Sequence, residues 1–408
     1  MGRVPETLEQ RHNQGVTEGG SNMTDSQSPA SGDPFAEIRP YSNSDAPAVL
    51  ARLARDAELA GIIARWRLPW LGNAWPSLSR QLGKLWLFVA ARRLQTVEDL
   101  QNLIAPNLSR MIKKTSQFSV SGIEQLDLQH ARLYLSNHRD IVMDPAYANY
   151  ALHRAGAKTL AIAIGDNLLS KPWVADLMRL NKSFVVKRNV SGPRALLAAT
   201  KLLSQFIRDS ISQDRDPIWI AHREGRAKDG RDLTEPAVVK MLTLSRDRGE
   251  TPDHVLSELR IVPLTIAYEL DPCDALKAAE LAAGGDYVKS EFEDVASIAR
   301  GITGDKGCVH LRFGEPVPPG LGVEAVVAEL DRQMAAHYRL YQTNRWAWEW
   351  LHGEAAPETV SFHEGSIDEA AFRTRYECVP AEHRDYFLAM YANPVDRRLE
   401  LDAAGRGA

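Results

Sequence analysis

From Thr115 onward the chain alternates short apolar runs with helical stretches, and this order limits the folds open to it. Phe118-Ser119-Val120 is a short alternating run ended by Gly122. Further strand candidates are 133–135, 159–164, 184–187, 218–221, 260–267 and 309–313. Between them, 145–154, 168–180, 194–209 and 236–248 carry helical patterns. Strands interleaved with helices predict an α/β domain built on a mixed, largely covered sheet, here over 115–320.

The flanks have a different character. Residues 1–40 are rich in Gly, Ser, Asn, Gln and Glu and are expected to form a disordered tail. Residues 41–114 read as an N-terminal helical domain. Apolar positions recur at helical spacing from Ala48 to Trp66, Pro69 and Pro76 interrupt, and the pattern resumes over 78–112 with a break expected at Pro106. Residues 321–408 read as a C-terminal helical extension. It has one long helical stretch at 323–351 and a charged remainder that is helical in pieces with an unstructured end.

Composition narrows the function classes. A net charge of -4 over 408 residues argues against a dedicated nucleic-acid binder, which carries a basic excess. Cys273, Cys308 and Cys378 are far apart and show no CxxC spacing, so neither a disulfide framework nor a zinc site is expected. The first forty residues lack the apolar core of a secretory signal, and a cytoplasmic setting is expected. No apolar run reaches the roughly 18 residues needed to span a bilayer. The nearest is Leu85-Trp86-Leu87-Phe88-Val89-Ala90-Ala91, flanked by Lys84, Arg92 and Arg93, with Trp66, Trp70 and Trp75 nearby. Tryptophan and basic residues beside an apolar face suit a helix lying in the membrane interface, on the inner face of the membrane. A core helix of a bundle has the same pattern.

Chemistry concentrates after the strand candidates. Asn137-His138-Arg139-Asp140-Ile141-Val142-Met143-Asp144-Pro145 places a histidine and carboxylates at a strand-to-helix junction. Asp144-Pro145 reads as a helix start, with Asp as N-cap and Pro in the first turn. A loop histidine with an acid close by can act as a general base. Two later runs end in cations: Phe184-Val185-Val186-Lys187-Arg188, and Ile218-Trp219-Ile220-Ala221-His222-Arg223-Glu224-Gly225-Arg226-Ala227-Lys228. A fourth run, Ile261-Val262-Pro263-Leu264-Thr265-Ile266-Ala267-Tyr268-Glu269, carries an early proline. Ligands of open α/β sheets gather outside strand ends, and cations at two such ends would make an anion pocket. No G-x-S-x-G elbow is present, which counts against a serine-type lipid hydrolase.

In order and content these segments resemble the glycerolipid acyltransferases that acylate glycerol 3-phosphate or 1-acylglycerol 3-phosphate. The resemblance spans about 115–318. His138 with Asp144 is similar to the family's His–Asp pair, Arg188 to the arginine closing its second motif, Glu224-Gly225-Arg226 to its third motif and Val262-Pro263 to its fourth. Two departures stand out. Five residues separate His138 from Asp144 where the family has four, so the family spacing lands on Met143, and Asp140 is the other candidate partner. The third motif lacks the usual Phe-Pro start and is one residue shorter before its arginine.

The resemblance implies direct acyl transfer from a thioester donor, acyl-CoA or acyl carrier protein, to a phosphorylated glycerol acceptor at a membrane surface. His138 would take the acceptor's proton and Asp144 would orient the imidazole. Arg188, Arg226 and Lys228 would hold the phosphate with Lys187. Glu224 and Gly225 would shape that loop. It implies no metal or redox cofactor.

Overall fold

The computed structural model describes residues 32–67, 75–169, 171–287 and 293–406. Two units divide the chain, Met1–Pro34 and Phe35–Ala408, and the elements below lie in the second. Of the expected tail, 1–31 lie outside the described residues, as do Pro69, Trp70 and the side chain of Trp66. The tail expectation is corrected at its end. Phe35 and Ile38 are buried, Phe35 meets the Phe206 ring edge-on, and Ile38 O accepts a hydrogen bond from Val185 N at 2.8 Å.

Among the described residues four helices precede the sheet: α1 (Ala46–Leu53), α2 (Ala57–Arg67), α3 (Pro76–Arg93) and α4 (Val97–Thr115). The break falls between α3 and α4, not at Pro106. Thr96 caps α4 through a reciprocal pair, with Asp99 N donating to Thr96 Oγ1 and Thr96 N to Asp99 Oδ2. That capping box satisfies two orphan N–H groups, and α4 continues through Pro106.

Among the described residues, seven strands form one sheet: β1 (Gln117–Ser121), β2 (Leu133–Ser136), β3 (Ala161–Gly165), β4 (Ser183–Val186), β5 (Ile218–Ala221), β6 (Val262–Tyr268) and β7 (Cys308–Phe313). Their spatial order is β1-β7-β6-β2-β5-β3-β4. Every pairing is parallel except β6 with β7. The sheet is thus mixed, as its alternating apolar runs predict. Its intervening helices are α5 (Met143–Arg154), α6 (Pro172–Leu180), α7 (Pro193–Ser212), α8 (Pro236–Leu242), α9 (Pro252–Glu258), α10 (Asp274–Ala283) and α11 (Glu293–Thr303). The C-terminal helices are α12 (Val323–His337), α13 (Gln342–His352), α14 (Glu369–Glu377) and α15 (Arg384–Arg406). The single helix expected at 323–351 is therefore two. The end expected to be unstructured is helical to Arg406.

Period-2 alternation assigns the sheet's two faces. Leu133 and Leu135 of β2, with Ile218 and Ile220 of β5, join Phe184, Phe206 and Ile207 in one core. Tyr134 and Trp219 point to the other side, into a core with Met143, Tyr147 and Phe313. Both faces are covered, which suits a largely parallel sheet. Among the described residues no helix is long and apolar enough to cross a membrane.

Candidate active site

β2 lies at the centre of the sheet, between β6 and β5, and the chain leaves it at Asn137. The Asn137 side chain is buried and fixes this exit. Its Nδ2 donates to Ile266 O and to Asp232 Oδ2, both at 3.0 Å, and its Oδ1 accepts from Ile266 N at 2.8 Å. Arg139 Nη2 donates to the same Asp232 oxygen at 2.6 Å. One buried carboxylate thus grips the residues on either side of His138.

The loop then turns into α5, whose start differs from the one expected. Asp140, not Asp144, supplies the acceptor at the helix start: its Oδ1 accepts from Met143 N at 2.8 Å and Val142 N at 3.0 Å. Asp144 lies inside the first turn and is free to face the loop. Its Oδ2 accepts from His138 Nδ1 at 2.8 Å, from Arg139 N at 2.5 Å and from Asp140 N at 2.9 Å. Its Oδ1 accepts from Tyr268 OH at 2.6 Å. The five-residue separation is absorbed by this turn, and the geometry pairs His138 with Asp144. Burial and the Asp144 charge together push the Asp140 carboxyl above its ordinary range. Burial, then the neighbouring carboxylates, raise the Tyr268 hydroxyl well above its usual value, so it stays a donor.

A carboxylate acceptor keeps the ring proton on Nδ1 and leaves Nε2 as the basic nitrogen. His138 is only 13% exposed and lines a cavity of about 1220 Å³. Its ring meets Trp219 edge-on, with centroids 5.4 Å apart. The cavity runs over the ends of β3, β4 and β5 beneath α4. Most of its wall is apolar, with Leu108, Met111, Ile162, Val185, Leu203 and Met241 among the lining residues.

The expected cations all line this cavity, but in different states. Arg226 is half-buried. Arg188 is 41% exposed, with Nη1 at 3.2 Å from Glu224 Oε1. Lys187 pairs with Glu37, and Lys228 pairs with Glu280. Gly225 has φ +71°, a conformation that favours glycine and turns the loop back between Glu224 and Arg226. Val262-Pro263 does not reach the cavity; both residues are buried in β6, with Pro263 opposite Leu135.

Several residues here were not singled out from the sequence. Tyr268 and Asp232 position the histidine loop, as described above. Gly165 leaves room for two side chains, since a Cβ there would collide with Asn167 Oδ1 and stand 3.1 Å from Arg188 Nε. Arg223 lines the cavity with a buried Nε that finds no partner. The cation-rich runs at 184–188 and 218–228 were the available signal for Arg223. Tyr268, Asp232 and Gly165 had none, because each acts across the sheet.

A His–Asp pair on a central strand end, beside a large apolar cavity edged by cations, is an arrangement that can support acid/base chemistry on an apolar group carrying or meeting an anion. Comparison with known proteins narrows it. Residues 117–239, somewhat under a third of the chain, match the Acyltransferase family model, in line with the resemblance read from the motifs within that stretch. A search of curated proteins found no match. Among solved structures the chain is similar to the 1-acyl-sn-glycerophosphate (LPA) acyltransferase PlsC from Thermotoga maritima. Identity is 15%, coverage is 69% of this chain and 94% of that one, and the TM-score is 0.36.

Proposed function

We propose that the protein moves a fatty acyl group from a thioester donor, acyl-CoA or acyl carrier protein, to a hydroxyl of 1-acylglycerol 3-phosphate or glycerol 3-phosphate. The observation that carries this reading is the His138–Asp144 pair at 2.8 Å on the wall of an apolar, cation-edged cavity. His138 Nε2 takes the proton of the acceptor hydroxyl. The oxygen attacks the thioester carbonyl, the C–S bond breaks, and the imidazolium returns its proton to the departing thiolate. Asp144 stabilises the imidazolium without taking its proton. At about 1220 Å³ the cavity exceeds the roughly 300–1,000 Å³ of ordinary small-molecule pockets. That leaves room for an acyl chain together with either acceptor. The test offers labelled acyl-CoA with each acceptor in parallel. Transfer to neither, with a carrier-protein donor failing too, would overturn the reading.

Arg226 is the cation best placed to meet the acceptor phosphate, being half-buried on the cavity wall. A charge-assisted hydrogen bond contributes about 1.5–3 kcal/mol. Arg226→Ala should therefore raise the KM of the phosphorylated acceptor roughly 10- to 100-fold with little change in kcat. An unchanged KM would remove Arg226 from the phosphate site.

The membrane reading rests on α3. Its inner face is close-packed, since a Cβ on Gly83 would collide with Ala60 O. Its outer face exposes Leu78, Leu82, Leu85 (59%), Phe88 and Val89, a three-four spacing that makes one apolar stripe, and Trp75 (64% exposed) stands just before its start. Arg92 and Arg93 end the helix. This stripe would lie in the interface of an anionic bilayer on its inner face, delivering acceptors to the cavity beneath α4. Leu85→Glu with Phe88→Glu should reduce co-sedimentation with anionic vesicles at least tenfold while leaving transfer to a micellar acceptor intact. Equal vesicle binding by the variant would refute the assignment.

A further inference from the structure

Beneath the site lies a lysine that touches no part of the cavity. Lys277, on α10, is 1% exposed. Its ammonium donates to Arg139 O at 2.7 Å and to Ala227 O at 3.4 Å, and pairs with Asp271 Oδ2 at 2.5 Å. Arg139 follows His138, and Ala227 follows Arg226. One buried cation therefore holds main-chain carbonyls of both the acid/base loop and the cation loop. The two loops also meet directly, with Ala227 N donating to His138 O at 2.7 Å.

The acidic end of this arrangement is held by the C-terminal helices. Asp271 N donates to Tyr391 Oη at 2.9 Å, and Arg375 Nη2 donates to Asp271 O at 2.8 Å. Asp274 Oδ2 accepts from Tyr391 OH at 2.8 Å and from Arg375 Nε at 2.5 Å. Arg375 lies on α14 and Tyr391 on α15. A continuous set of polar contacts thus runs from these helices through the 271–274 turn to Lys277 and on to the two loops.

Stability alone does not call for an ammonium here. A buried ion pair gains little over well-packed apolar side chains of similar volume. What the ammonium supplies is direction, because its donors reach oxygens on three separate segments. We propose that Lys277 is a positioning residue that fixes the separation of His138 and Arg226, and that the C-terminal helices support the reaction through Asp271 and Asp274. This rests on the acyl-transfer reading above.

The test compares full-length protein with Lys277→Met, and with Lys277→Met combined with Asp271→Asn, which removes both charges and so avoids a stranded carboxylate. Displacing a catalytic group by about 1 Å costs on the order of 10²-fold. In the folded variants kcat should fall by about that factor, and the acceptor KM should rise several-fold. Amide hydrogen exchange should quicken at least tenfold at Arg139, Asp140 and Ala227 while Leu135 and Ile220 in the sheet keep their protection. A merely structural role would loosen all of these amides together. Wild-type kcat and unchanged loop exchange in the double variant would overturn the proposal. Tyr391→Phe deletes one oxygen and leaves no void; a several-fold loss of kcat is expected, and an unchanged kcat would remove the C-terminal helices from it. If the unaltered protein transfers no acyl group, the acyl-transfer reading fails and the exchange pattern alone decides the role of Lys277.

Discussion

His138→Ala should lower kcat by about 10²–10⁴-fold, the range that a positioned general base supplies. The loss should come without unfolding. The ring fills no core position, and Asp144 keeps its hydrogen bonds from Arg139 N, Asp140 N and Tyr268 OH when the imidazole is gone. Thermal melting should therefore shift by only a few degrees, and acceptor binding measured separately should persist. A variant retaining activity within tenfold of the parent would sink the proposed mechanism.

The second large effect separates the two acids. In Asp144→Asn, the main-chain N–H groups of Arg139 and Asp140 pin the amide oxygen where Oδ2 now sits. His138 keeps its Nδ1 proton and its orientation, and the substitution removes the negative charge facing the imidazolium. Losing one preorganised electrostatic partner costs about 10²–10³-fold, which is the expected fall in kcat. Asp140→Asn should act differently. Its side-chain oxygen caps Met143 and Val142, a task an amide oxygen performs equally well, so kcat should stay within a few-fold. Stability supplies a second readout. The folded protein raises the Asp140 carboxyl, so native-state stability falls as pH rises from the unfolded carboxylate range up to that raised value. Asp140→Asn should thus be at least as stable as the parent at neutral pH, with the difference fading as pH falls toward the unfolded carboxylate range. Denaturant melts at two pH values check this. If Asp140→Asn alone kills activity, the pairing with Asp144 is not the working one.

The contrast shows what local sequence carries and what it does not. β2 and β5 were legible because short apolar runs bounded by polar turns have few alternatives. His138, Asp144 and the two cation runs were legible because each sits just past such a strand. The helix boundaries were misjudged wherever a polar cap outweighed proline. Thr96 with Asp99 ends one helical stretch and starts the next, whereas Pro106 is carried inside α4. Asp140 starts α5 before Asp144 is reached. The supports of the histidine loop were invisible for a simpler reason. Tyr268, Asp232 and Lys277 are an ordinary strand residue, a loop acid and a helix lysine until the sheet brings them together. The stripe on α3 showed as the run from Leu85 to Ala91, but its reach back to Leu78 required the helix.

The placement of β2 between β5 and β6 also bears on how the protein is made. Asp144 and the Tyr268 that clasps it are 124 residues apart, and β1 meets β7 across a span of 191. At roughly 5–20 residues per second, Tyr268 emerges from a ribosome about 6–25 s after Asp144. Through that interval the β2 edge that β6 will cover stays open, a surface that invites pairing with other chains. The stretch 117–239 that matches the family model ends before β6 begins and so omits two of the sheet's strands, β6 and β7. His138 therefore gains its fixed setting only after β6 has been made.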